Sequence, residues 1–73
     1  MEERDTEGLM VPPWVMYPAM PRASIGWRMG YGEEYWDDFR VWWLTQTAEV
    51  HSRVQTKYAE PPDWSGFYES LGH

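Results

Sequence analysis

The sequence predicts a small, irregular all-α fold, with one main helix over about residues 33–58 wrapped by a proline- and glycine-rich extended N-terminal strap and a short C-terminal helix over about 63–71. Three observations carry that expectation. From Trp36 onward, apolar residues recur at spacings of three, four and seven, the period of a helix face. No alternating run reaches strand length, and no internal repeat is present. Finally, 73 residues without cysteine allow one core at most, and the 18% of residues that are aromatic must supply its burial in place of disulfides.

The elements follow in order. In residues 1–8 Glu2, Glu3, Asp5 and Glu7 outweigh Arg4, so this segment reads as an acidic flexible tail and residues 9–73 as a single small domain. Prolines 12, 13, 18 and 21 then bar a regular helix, because each removes an amide donor and restricts the residue before it. The same stretch carries Met10, Trp14, Met16, Tyr17, Met20, Ile25, Trp27 and Met29, too apolar for a free linker, so it is expected to lie on the rest of the chain as a strap.

Gly30-Tyr31-Gly32 punctuates the chain before a helix that starts near Glu33. Glu33, Glu34, Asp37 and Asp38 complement the positive end of its dipole. Its main apolar stripe is Trp36, Phe39, Trp43, Val50 and Val54, with Tyr35 and Trp42 on the margin; a smaller stripe of Val41, Leu44 and Ala48 lies nearly opposite. A helix apolar on two sides must meet two neighbours, or a neighbour and another molecule. Thr45-Gln46-Thr47 offers a break, with Thr47 as cap of a second segment. After Pro61-Pro62, Asp63 or Ser65 can cap a final helix that presents Trp64, Phe67, Tyr68 and Leu71 at i, i+3, i+4 and i+7. That helix is too short to stand alone and is expected to dock on the Val50 and Val54 end of the main helix.

Several chemistries are disfavoured. The glycines from Gly26 to Gly32 precede a helix, as phosphate loops do, but no lysine follows them and four carboxylates already occupy the helix start. The acids at 33, 34, 37 and 38 form i,i+4 pairs that a hard cation could bridge, yet a helix offers two or three oxygens where calcium draws on six or more. His51 has no partner at metal-ligand spacing, no serine stands in a nucleophile elbow, and His51 is expected as a partly exposed helix histidine. We therefore expect no enzyme, no cofactor and no metal. Arg22, Trp27, Arg28 and Tyr31 interleave bases with rings as single-strand binders do, but a net charge of −6 weakens any attraction to nucleic acid.

What remains is a surplus of Trp, Tyr, Met and Arg, the residue types that concentrate at protein interfaces. The sequence thus points to a small acidic protein-binding module, an inhibitor, adaptor or accessory subunit whose aromatic surface meets a larger protein or another copy of itself. The candidate contact residues are Arg22, Trp27, Arg28, Tyr31, Trp14 and Trp42, with Glu33, Glu34, Asp37 and Asp38 as an acidic surface. Two alternatives are an inhibitor that mimics nucleic acid through those carboxylates, and a cage for a small ligand formed by Trp14, Trp27, Trp36 and Trp42. The competing reading gives every ring to the chain's own core. An acidic start and the lack of a long apolar run suggest a cytoplasmic, non-membrane protein.

Overall fold

The computed structural model describes residues 4–72. Its helices are α1 (Pro13–Met16), α2 (Tyr31–Leu44), α3 (Ala48–Lys57) and α4 (Phe67–Ser70), with 3-10 turns at Ile25–Trp27 and Pro62–Trp64. Among the described residues there is no strand, and extended pairing amounts to an isolated antiparallel bridge between Arg4 and Met10. The fold is therefore all-α and irregular, as expected.

Prolines exclude a helix interior but suit its first turn, and Pro13 opens α1 there, with the amides of Val15 and Met16 donating to the Pro12 carbonyl at 3.0 and 3.1 Å. The strap is thus partly helical rather than extended throughout. Leu9, Met10, Val11, Pro12 and Pro13 are all buried. The Tyr35 hydroxyl donates to the Val11 carbonyl at 2.6 Å and ties the strap to α2.

The strap's path decides which face of α2 is inside. Tyr35, Phe39, Trp42 and Trp43 are buried, whereas Trp36, expected on the main stripe, is only half-buried. The buried arc is turned toward Tyr35 and Trp42 because the strap crosses on that side, where the Arg4 guanidinium lies 5.5 Å from the Trp42 ring. The opposite stripe stays outside: Val41 is 64% exposed and Leu44 41%, and Ala48 is exposed as well.

The main helix is broken where the threonines stand. Thr45 turns its hydroxyl back onto the Trp42 carbonyl at 2.7 Å, and the Thr47 hydroxyl accepts from the Val50 amide at 3.3 Å, capping α3. The C-terminal segment docks against α2 and also meets the far end of α3, where the Tyr68 hydroxyl donates to the Tyr58 carbonyl at 2.7 Å. Phe67 meets Trp36 and Phe39 with ring centroids at 5.4 and 5.9 Å, and Tyr68 stacks on Trp43 at 5.1 Å. That segment is not one helix over 63–71. Gly66, at φ +86°, separates the Pro62–Trp64 turn from α4, and neither Asp63 nor Ser65 caps it. The cap comes from further away: the Glu60 carboxylate accepts the amides of Gly66 and Tyr68 at 3.0 and 2.8 Å. Trp64, Phe67, Tyr68 and Leu71 are all buried, as their spacing implied.

The acidic segment is also more ordered than its composition suggested. In residues 4–8, Asp5 accepts the amides of Glu7 and Leu9 at 2.9 and 3.0 Å, the Lys57 ammonium at 2.8 Å and the Tyr58 hydroxyl at 2.7 Å. Lys57 also donates to Glu7 at 2.9 Å. Desolvation pushes the Asp5 carboxyl up, but these donors outweigh it and hold the group well below the ordinary carboxylate range. Hydrogen bonds to Asp5 and Glu7 raise Lys57 in turn. The expected flexible tail is, over residues 4–8, a latch on the end of α3; residues 1–3 lie outside the described residues.

Candidate functional site: an apolar groove at the start of α2

Tight turns between Tyr17 and Trp27 build the site. The Met20 amide donates to the Tyr17 carbonyl at 3.0 Å and the Ser24 amide to the Pro21 carbonyl at 2.9 Å. The Ser24 hydroxyl then accepts from the Gly26 amide at 3.2 Å and caps the Ile25–Trp27 turn. Trp27 is drawn inward, its indole N–H donating to the Pro21 carbonyl at 2.8 Å. Its neighbours Ile25 and Met29 are left outside.

Two glycines let this loop meet α2. A Cβ on Gly32 would run into the Gly26 carbonyl, so only bare backbone at 32 permits the approach, while one on Gly26 would push the flexible Met20 side chain aside. Gly30 holds φ at +83° as the cap of α2, which lets the helix begin at Tyr31, two residues earlier than expected. Tyr31 stands against Tyr17 with centroids 4.8 Å apart. The result is a groove of about 640 Å³ whose walls include Met16, Tyr17, Met20, Ile25, Met29 and Tyr31. Ile25 is 66% exposed, Met29 59% and Tyr31 64%. No charged residue lines the groove. Glu33, Glu34 and Asp37 stand exposed on the next turns of α2, and Asp38 is half-buried there.

The residues singled out from sequence separate into two groups. Trp27 and Trp42 are buried, and Trp14 is half-buried against Trp64, Phe67 and Tyr68 at 5.2–5.7 Å, so these rings serve the core. Tyr31 is the candidate ring that reaches the surface. Arg22 and Arg28 are both exposed, but Arg22, not Arg28, does the stacking: its guanidinium lies 4.7 Å from the Trp36 ring and 5.3 Å from Trp64. The place a caged cation would occupy over Trp36 is thus filled by the chain itself. Both arginines, with Trp27, Glu33 and Asp37, border a separate cleft of about 500 Å³. Ile25 and Met29 were not anticipated as surface residues; the available signal was Ser24, whose hydroxyl caps the Ile25–Trp27 turn that sends Trp27 inward.

His51 is buried, contrary to the expectation of partial exposure. Its ring lies parallel to Trp43 at 3.8 Å, and its Nε2 donates to the Trp43 carbonyl at 2.6 Å, since a carbonyl can only accept. The break at 45–47 turns the chain so that His51, on the first turn of α3, meets Trp43 near the end of α2. His51 and Trp43 border a wider cleft of about 850 Å³ with Glu60, Tyr68 and Glu69. Its rings are nearly fully covered and the Glu60 carboxylate is committed to the α4 cap, so this cleft offers a ligand little. Burial first, then the negative charge of Glu60, pushes the Tyr68 hydroxyl above its ordinary range.

Among the described residues no group of three or more His, Asp or Glu side chains converges as a metal site would, and no buried side-chain nitrogen or oxygen lacks a partner. No helix among them is long and apolar enough to cross a membrane. Comparison with protein-family models, curated proteins and solved structures finds no match to the chain.

Proposed function

We propose that this chain is a small acidic protein-binding module, and that the groove at the start of α2 is its contact surface. The observation that carries the reading is the set of large apolar side chains left open there, Ile25, Met29 and Tyr31, on a chain whose other rings are all buried or half-buried. Exposing them forgoes burial worth roughly 1.5–3 kcal/mol for each side chain, a large fraction of the stability of a domain this small. A partner would recover that burial. A polar small molecule fits less well, because no unsatisfied buried polar group faces the groove to orient it. Three methionines in or beside the walls, Met16, Met20 and Met29, suit an apolar counterpart of variable shape.

The test is mass measurement on protein isolated from its own cells, with Ile25→Ser/Met29→Ser beside the wild type. The reading expects a stoichiometric complex for the wild type and a folded, unaccompanied chain for the variant, with circular dichroism unchanged. A wild-type chain that runs as a clean monomer would refute it.

A further inference from the structure

We propose that the groove and the outer face of α2 together receive a helical segment of a basic partner, apolar at both ends and positively charged in its middle. This rests on the protein-binding reading and adds the partner's chemistry. Positions 31, 34, 38, 41 and 45 of α2 and its C-cap recur at intervals of three and four, the stripe that a second helix lying alongside would meet. Their chemistry is ordered: Tyr31 at the groove, Glu34 and Asp38 in the middle, then Val41, which is as exposed as Tyr31 at 64%. Leu44, 41% exposed, widens the far apolar end. Ten residues separate Tyr31 from Val41, about 15 Å along the helix, so a segment of about 14 residues, roughly 20 Å long as a helix, spans both ends.

Charge selects the occupant. With a net charge of −6, a second copy laid on this stripe would set the exposed Glu34 against its own counterpart, a like-charge pairing that a basic segment turns into attraction. The neighbouring acids Glu33 and Asp37 extend the same field. α3 has no comparable face. Its outer side carries the Glu49–Arg53 pair at 3.5 Å, with no large exposed apolar residue beside it.

The experiment is a displayed library of helical peptides of about 14 residues, varied among apolar, acidic, basic and neutral side chains, selected on the wild-type chain and counter-selected on Ile25→Ser/Met29→Ser. Enriched peptides should be apolar at both ends with Lys or Arg between. Their affinity should fall at least about tenfold on the groove variant and about tenfold on Glu34→Lys, which should in turn gain affinity for the acidic-centred version of the same peptide. Enrichment of acidic, uncharged or proline-rich sequences, or indifference to Glu34→Lys while the groove variant abolishes binding, overturns the basic-helix proposal and leaves the groove as a protein-binding site. Absence of any enrichment over the groove variant overturns both.

Discussion

At the Phe39–Trp43 end of α2 the rings are covered on two sides, by the strap and by α4, whereas at the Tyr31 end similar apolar side chains face solvent. The two ends differ little in composition. What differs is the chain that arrives last: α4 reaches Trp36, Phe39 and Trp43, and no described element crosses Ile25, Met29 and Tyr31. Apolar content therefore does not predict burial in so short a chain; the reach of the final segment does. A protein this small covers the inner face of α2 around Phe39 and Trp43 and leaves a surplus at the Tyr31 end and, through Val41 and Leu44, on the outer face, and the surplus is where binding can be sought.

Three changes test that contrast, taken from the largest effect to the smallest. Phe39→Ala should cost about 3–5 kcal/mol, because the ring is fully buried against Trp42, Trp43 and Phe67 and its loss leaves a cavity. Denaturant titration should show the chain largely unfolded in water; a loss below about 1 kcal/mol would mean that the covered end is no tighter than the open one.

Gly32→Ala should cost about 1–3 kcal/mol, since its methyl group meets the Gly26 backbone, which cannot step aside as a side chain could. It should also spread the groove, so that peptide binding falls along with stability. If chemical denaturation finds the variant as stable as wild type, the close approach of loop and helix is not what shapes the open end.

The smallest effect concerns pH. Asp5 titrates below its unfolded value of about 3.9, so its contribution is present above that pH and is lost as pH falls through the folded value. Lys57 runs the other way: its contribution is complete below about 10.4 and is lost as pH rises through its raised folded value. Asp5→Asn should lower the thermal midpoint at pH 7 and flatten its decline between about pH 4 and 2. Parallel midpoint curves for the two proteins would show that the N-terminal turn contributes nothing to stability.

Much of the covered end was legible in the sequence. The spacing of Phe39, Trp43 and Val54, the Thr47 cap and the burial of Trp64, Phe67 and Leu71 all follow from local periodicity and capping chemistry. The second stripe of Val41, Leu44 and Ala48 was legible too, though not that it would face solvent. What periodicity does not encode is which side of α2 the strap crosses, and that crossing moved Trp36 outward and Trp42 inward. The Asp5–Lys57 contact joins residues far apart in the chain, and the Glu60 cap reaches six and eight residues ahead, past the offsets of local capping motifs. The open groove depends on the contact among Met20, Gly26 and Gly32, a steric fact about backbone approach that composition alone registers only as a glycine-rich loop.

The latch at the other edge of the molecule has a chemical consequence of its own. Lys57 is the chain's sole lysine, and its amine is kept protonated between two carboxylates. A protonated amine is not a nucleophile, so an acylating reagent reacts with this side chain more slowly while Asp5 and Glu7 hold it than after they have moved away. The extent to which acylation of Lys57 is slowed relative to a free lysine therefore reports how far the N-terminal turn stays closed, read at one position with no competing lysine.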